Sequence, residues 1–214
     1  MTFTKAIGTA CNKVILLIVR GLALSRIHPN VLTFIGLLVN VGAAAFLAYG
    51  KFLTAGFVII AAGLFDMVDG RVARETNQVT RFGGFFDSVL DRYSDLVLLM
   101  GMLVYYASIT RYFYVVLTAV VMTASVMVSY TRARAECTIE RCKVGFMERP
   151  ERLVLLIIGA LFDRMAPVLW IIAIMGNLTV IHRVLYTWHE TRRLEEAELA
   201  TTTPKGGTGG FACP

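Results

Sequence analysis

The sequence predicts an all-α integral membrane protein with six transmembrane helices and an N-terminal interfacial amphipathic helix. Three observations carry that prediction. The 214 residues are 57% hydrophobic and only 17% charged, with a mean hydropathy of +0.66, well outside the balance of soluble domains. The apolar residues are gathered into separate runs near the length that crosses a bilayer, about 20 residues. The basic residues collect at one set of run ends.

The runs are 30–49, 53–69, 86–108, 112–131, 151–163 and 167–188. The fifth is short and arginine-rich at its start, so it is expected to begin before 151 and to project beyond the membrane on its charged side. Residues 4–25 mix Lys5, Lys13 and Arg20 with apolar residues, the pattern of a helix lying in the interface; a seventh span is the competing reading. After Arg193 the chain reads LEEAELATTTPKGGTGGFACP, a short charged helix end and then a Gly/Thr tail with little to bury. The expected organisation is therefore one membrane-embedded domain over 1–193 and a largely disordered cytoplasmic tail over 194–214.

Charge sets the orientation. With six spans, one side receives Lys5, Lys13, Arg20, Arg26, Arg71, Arg74, Arg81, Arg132, Arg134, Arg141, Lys143, Arg149, Arg152, Arg192, Arg193 and Lys205, and the other only Lys51, Arg111 and Arg164. Lys and Arg accumulate on the cytoplasmic side of short loops, which places that basic side in the cytoplasm. A net charge of +6 then points to anionic headgroups and phosphorylated substrates rather than to nucleic acid. No cleavable signal peptide is evident at the N-terminus. Cys11, Cys137, Cys142 and Cys213 have neither a paired framework nor zinc-site spacing, and read as reduced thiols. His28, His182 and His189 are isolated and fit interface or helix-end positions.

Against this oily background stands LFDMVDGRVARETNQVTRFGGFFDSVLDRYSD, residues 64–95. Asp66 and Asp69 are three residues apart, and Asp87 and Asp91 four apart, so each pair shares one helix face. Two antiparallel helices joined by a short loop bring the four carboxylates together. Such a cluster repels itself unless it is protonated or holds cations, and hard oxygen donors suit Mg²⁺ or Mn²⁺, with room for two ions. Gly70 lets a phosphate or metal approach the backbone, Arg74 offers a planar donor fork, and Gly83 and Gly84 allow a tight start to the third span. Carboxylates, metal and arginine together imply a phosphate ester.

Asp66, Asp69, Gly70, Ala73, Arg74, Gly83, Asp87 and Asp91 follow D-x2-D-G-x2-A-R-x8-G-x3-D-x3-D without departure. The segment resembles the signature of the CDP-alcohol phosphotransferase family, and the length, the six spans and the N-terminal helix look similar as well. That resemblance implies transfer of a phosphoryl-linked group from a CDP-linked donor, usually CDP-diacylglycerol or, in archaeal-type lipids, a CDP-archaeol-type donor, to an alcohol with release of CMP. It implies that Asp66, Asp69, Asp87 and Asp91 coordinate divalent ions and that Asp91 is the general base. Gly70, Ala73, Arg74 and Gly83 would form the cytidine-diphosphate pocket. Upstream, Pro29 and Asn30 read as a helix start with Thr33 one turn inside; similar segments in the family border the nucleotide, which adds Asn30 and Thr33 as donor-binding candidates.

The acceptor is read from SYTRARAECTIERCKVGFMERPERLVLL. Its basic residues serve topology and anionic lipid, and also suit a phosphate, because arginine forks bind phosphate bidentately. The pattern R-A-R-A-E, a spacer, then K-V-G-x-x-E-R-P-E-R resembles the phosphatidylinositol-phosphate synthase branch and its archaeal-lipid relatives, which implies inositol 1-phosphate as acceptor. Ser129, Arg132, Lys143, Arg149 and Arg152 are the acceptor-phosphate candidates, with Glu148 and Glu151 orienting arginines. Glycerol 3-phosphate, as in phosphatidylglycerophosphate synthases, is the close alternative, and zwitterionic serine, which needs fewer cations, the third. Asp95 falls outside the metal motif and is expected to bond near Arg92 or in the bundle interior.

A different function class, a divalent-cation transporter or a noncatalytic lipid-binding scaffold, also uses intramembrane acids. Transport predicts acids distributed through the membrane depth, often with internal repeats, whereas these acids sit at one edge beside phosphate-binding residue types; CMP release discriminates. Tyr105, Tyr106, Tyr112 and Tyr114 flank an exterior turn and read as an aromatic belt. Gly42, Ala43, Ala44 and Ala45 permit close helix packing, either within the bundle or across a homodimer. The location expected from all this is a prokaryotic cell membrane, with the site facing the cytoplasm.

Overall fold

The computed structural model describes residues 29–75 and 80–202, with side chains over 30–66 and 80–196. The interfacial helix expected over 4–25 and the last part of the tail lie outside the described residues. Within them the chain forms six helices: α1 Pro29–Ala48, α2 Phe52–Glu75, α3 Arg81–Ser108, α4 Tyr112–Ala135, α5 Arg149–Leu161 and α6 Met165–Thr202. There is no strand among the described residues. Each expected apolar run corresponds to one helix. Helix α2 continues past 69 to Glu75, so its last turns carry Gly70, Ala73 and Arg74 as well as Asp69. The charged helix end expected after Arg193 is continuous with α6 and reaches Thr202.

Among the described residues, three helices are long and apolar enough to cross a membrane: α1 over Asn30–Ala48, α4 over Tyr112–Ala135 and α6 over Met165–Glu196. Of the others, α2 has 24 residues, of which the apolar stretch Phe52–Asp66 has its side chains described, α3 carries Asp87, Asp91, Arg92 and Asp95 toward its N-terminal end, and α5 has 13 residues.

Helices α1, α2, α5, α6, α4 and α3 contact one another in that order, and α3 closes the ring on α1. The core runs up the middle and takes residues from every helix: Leu47, Ile59, Leu98, Met102, Val121, Leu156, Leu169 and Ile172. Outward, Phe34, Leu38, Phe57, Val116, Ile174 and Leu178 remain exposed, an apolar surface on the scale of a lipid-facing protein. Ala43 and Ala44 are buried, and a Cβ on Gly101 would run into the Ala44 backbone. Their small size thus serves contact between α1 and α3 inside the chain.

The tyrosine belt needs correction. Tyr112 is exposed, but Tyr106 is buried and stacks on Tyr114 with ring centroids 4.9 Å apart, while Tyr105 meets Phe52 edge-on at 4.8 Å. The rings of Tyr105, Tyr106 and Tyr114, from the last turn of α3 and the first turn of α4, pack the end of the core because the rotation of the two helices turns them inward. His182 and His189 are exposed. Cys137 is exposed and Cys142 buried, both as free thiols.

Candidate active site

Helix α3 begins where its sequence predicts. The Thr80 hydroxyl accepts the Gly83 N–H at 2.9 Å, a side-chain N-cap. A Cβ on Gly83 would come within 3.0 Å of that hydroxyl and 3.5 Å of the Asn30 side-chain oxygen, so two of the donor-binding candidates are neighbours. Thr33, one turn further along α1, is buried. The side chains of Asp69, Ala73 and Arg74 lie outside the described residues, as do all atoms of 76–79.

The described acids of α2 and α3 lie within electrostatic reach of one another. Asp87 interacts electrostatically with Asp66, and Asp91 with Asp87, Asp66 and Asp95. What sits among them was not foreseen. Arg149, from the first residue of α5, places Nη2 at 2.8 Å from Asp66 Oδ2 and Nη1 at 2.8 Å from Asp91 Oδ1, with Nε at 3.6 Å from Asp95 Oδ1. Three carboxylates, Asp91, Asp66 and Asp95, thus surround its positive charge. Among the described residues no three metal-ligating side chains gather into a ready-made ion site; the Asp69 side chain is not among those residues.

The donor set nonetheless fits a hard divalent cation. The carboxylates of Asp66 and Asp91, on different helices, already share one cation in the Arg149 guanidinium. Asp66 also lies in a cradle without a side chain on its far side: a Cβ on Gly36 of α1 would be 3.0 Å from Asp66 Oδ1.

Beside the acids opens a cavity of about 360 Å³ lined by Asp91, Asp95, Ser129, Arg132, Arg149, Arg152 and Arg183, together with Ser88, Arg92, Val128, Ala133, Glu136, Glu148 and Pro150. Its size is that of a small-molecule site. Four of the five acceptor-phosphate candidates therefore meet in one place, with the candidate base. Lys143 lines a neighbouring hollow of about 350 Å³ that shares Arg132 and Glu148 with the first.

Each cation has a defined support. Arg152 is only 4% exposed; it donates to Asp95 at 2.5 Å and to the Met147 carbonyl at 3.3 Å. Asp95 thus belongs to the bundle interior, while Arg92 turns back onto the Ser88 carbonyl. Arg132 donates to Glu136 at 3.2 Å and to Glu148 at 3.0 Å. Glu148 orients arginines as expected, and because its carboxylate serves Arg132 and Arg183 it makes no side-chain cap for α5. Glu151 departs from that expectation on one oxygen: its Oε2 is buried without a hydrogen-bond partner.

Arg183 was missed by the sequence reading. It lies in the middle of α6, 1% exposed, and donates to the carbonyls of Val144 and Val128 at 2.8 and 2.5 Å and to Glu148 at 2.8 Å. The available signal was an arginine inside an apolar run, which is rarely without function. Arg183 and Thr179 tether the loop 136–148 to α6, with the Met147 N–H donating to the Thr179 hydroxyl at 3.2 Å. The loop comes this close because Gly145 has φ +103°, and a Cβ there would lie 2.5 Å from Thr179 Cγ2.

Known proteins resemble this chain in sequence and in fold. Residues 26–189 fit the model of the family described as CDP-alcohol phosphatidyltransferase. The archaetidylinositol phosphate synthase of Methanothermobacter thermautotrophicus is 35% identical over 168 residues, covering 75% of this chain and 83% of that protein. The phosphatidylinositol phosphate synthase of Mycobacterium tuberculosis is 35% identical over 182 residues, covering 80% and 84%. The crystal structure of the Mycobacterium tuberculosis phosphatidylinositol phosphate synthase with CDP-DAG bound superposes with a TM-score of 0.77 at 30% identity, covering 94% of this chain and 100% of that one. The same enzyme has been crystallised with manganese and citrate, and that structure gives a TM-score of 0.75.

Proposed function

The chain belongs to the CDP-alcohol phosphatidyltransferase family, and from that premise we propose that it moves a phosphatidyl-type group from a CDP-diacylglycerol or CDP-archaeol-type donor to inositol 1-phosphate, releasing CMP. The observation that carries this reading is the shared cavity: the candidate base Asp91 and the arginines 132, 149, 152 and 183 line the same space. A base must stand within reach of the hydroxyl it deprotonates, and a phosphorylated acceptor needs cations to hold it there.

In the proposed reaction the acceptor hydroxyl oxygen forms a bond to the donor's lipid-linked phosphorus, the bond from that phosphorus to CMP breaks, and the hydroxyl proton passes to the Asp91 carboxylate. Arg132, Arg149, Arg152, Ser129 and, from the adjoining hollow, Lys143 take the acceptor phosphate. Asn30, Thr33, Gly70, Ala73, Arg74 and Gly83 border the donor's cytidine diphosphate. Asp66, Asp69, Asp87 and Asp91 would hold divalent metal, Mg²⁺ or Mn²⁺ and two ions by the spacing of the carboxylates, which when bound neutralises the diphosphate and the leaving group. Arg183 keeps the loop 136–148 against the cavity and so fixes Glu148 and Arg132.

All six helices span a prokaryotic cell membrane in this proposal, as one domain over 1–193, and the cavity opens to the cytoplasm; the excess of basic residues on that side supports it. A homodimer belongs to the same proposal, and it would use lipid-facing surface other than Ala43 and Ala44, which are buried within the chain.

The test is CMP release by the purified protein in detergent with CDP-diacylglycerol and Mg²⁺, with inositol 1-phosphate, glycerol 3-phosphate or serine supplied singly. Release with inositol 1-phosphate alone is expected. Release with glycerol 3-phosphate alone keeps the chemistry and replaces the acceptor, and absence of CMP with every acceptor and donor type returns the chain to the transporter or scaffold class.

A further inference from the structure

Arg149 occupies a position that conflicts with the role its sequence context suggests. A residue meant for the acceptor phosphate instead spans two helices, gripping Asp66 Oδ2 of α2 and Asp91 Oδ1 of α3 at 2.8 Å each. Those are oxygens of the carboxylates assigned above to the divalent metal. The guanidinium fork takes one oxygen of each carboxylate, and a metal ion drawn to the same two carboxylates would be a second cation close beside it, where like charges repel strongly. The guanidinium also has somewhere else to go. Its Nε is buried without a hydrogen-bond partner and stands 3.6 Å from Asp95 Oδ1, beyond a good hydrogen bond but within a small side-chain movement of one. Asp95 is held in place from its other oxygen by Arg152 at 2.5 Å. Arg149 lines the acceptor cavity from where it is.

Resting on the function proposed above, we propose that Arg149 is an exchangeable counter-cation that couples the two halves of the site: it competes with divalent metal for Asp66 and Asp91, and metal binding releases its fork into the acceptor cavity, steadied by Asp95. The device orders the reaction. While Arg149 is on the carboxylates, the candidate base Asp91 is engaged and the acceptor's phosphate has lost a ligand. Once metal displaces it, Asp91 is free of the fork and the cavity gains a bidentate phosphate donor. By reciprocity of linked binding, an acceptor phosphate that draws Arg149 away strengthens metal binding by the same factor.

The experiment is a Mn²⁺ titration of the full chain in detergent, followed by the electron paramagnetic resonance of free Mn²⁺, for wild type, Arg149→Gln, Arg149→Lys and Asp91→Asn, each with and without inositol 1-phosphate and each corrected for Mn²⁺ bound by the phosphate in protein-free buffer. Arg149→Gln removes the competitor, so Mn²⁺ should bind about tenfold more tightly than to wild type, a coupling of ordinary allosteric size, and inositol 1-phosphate should no longer alter it. Wild type should bind Mn²⁺ more tightly when inositol 1-phosphate is present. Arg149→Lys keeps the charge but lacks a fork to bridge two carboxylates; it should fall between, and it preserves the test if Arg149→Gln does not fold. Mn²⁺ binding that is lost in Asp91→Asn yet unchanged in both Arg149 variants, or unaffected by inositol 1-phosphate in wild type, overturns the coupling and leaves the proposed function standing. Wild-type protein without Mn²⁺ affinity overturns the metal reading together with the coupling.

Discussion

The acids of the site come from two helices that follow one another in the chain, Asp66 on α2 and Asp87, Asp91 and Asp95 on α3, whereas its arginines are gathered from the end of α4, the start of α5 and the middle of α6. The first group is ordered by helical periodicity: residues three or four apart share a face, and a short connection brings the two faces together. The second group is ordered by tertiary contact, through Glu148 between Arg132 and Arg183, Asp95 under Arg152, and a loop fastened to α6. The comparison teaches that the acids are fixed by local pattern and the arginines by their carboxylate and carbonyl supports. Damage to the acidic side should therefore remove chemistry with little loss of fold, and damage to the basic side should divide between substrate affinity and stability according to burial.

The largest expected effect is on the acidic side. Asp91→Asn should lower CMP release by about 10²–10⁴-fold, the usual contribution of a general base, while thermal unfolding in detergent stays near that of wild type. The next is on the basic side. Arg152→Ala leaves the buried Asp95 carboxylate without its nearest cation, and breaking such a pair costs about 3–5 kcal/mol, which denaturant unfolding in detergent should register as a lower midpoint; adding Asp95→Asn to that variant should recover part of the loss.

A smaller effect tests how tightly the acids are cradled. Gly36→Ala places a methyl 3.0 Å from Asp66 Oδ1, and the displaced carboxylate should reduce turnover about tenfold, since modest misplacement near reacting groups is costly. Metal titration of the same variant should show weaker binding. Smaller again is Arg132→Gln, whose side chain is 40% exposed; loss of its exposed ion pairs should change stability by about 1 kcal/mol or less, so its effect should appear in the KM for inositol 1-phosphate and not in that for the lipid donor. The smallest is Arg192→Ala, which removes an exposed ion pair with Glu196 and a long cation–π contact, 6.0 Å, with the exposed Trp188 ring, and should leave turnover unchanged and unfolding nearly so.

Much of the architecture was legible from the chain alone. Six apolar runs became six helices because a long apolar stretch between charged or glycine-containing breaks has few alternatives to a helix. Asp66 and Asp91 meet on Arg149 across α2 and α3, and the spacing of Asp87 and Asp91 puts both on one face of α3. The placement of Arg132, Arg149 and Arg152 near the acids was also readable, from their position after α4 and before α5.

The rest depended on contacts between distant residues. Arg149 was legible as a phosphate ligand and not as the partner of Asp66 and Asp91, because its neighbours are set by how α5 packs on α2. Tyr106 read as interfacial from its position beside a turn, and the stacking on Tyr114 that buries it is a matter of helix rotation. Gly36 had no distinguishing signal among the glycines of an apolar helix. Arg183 had one, a charge in an apolar run, which becomes informative only when the loop carbonyls and Glu148 that satisfy it are found.

The central claim is that the arginine-lined cavity reads a phosphate on the acceptor while Asp91 attends to its hydroxyl. The most direct measurement is the rate of CMP release from CDP-diacylglycerol with inositol 1-phosphate compared with free inositol at equal concentration, in the presence of Mg²⁺. The account predicts rapid release with inositol 1-phosphate and essentially none with inositol, the difference shrinking in Arg132→Gln. Equal release with the two acceptors would contradict it, because the arginines would then be structural and the acceptor would be recognised through its ring alone.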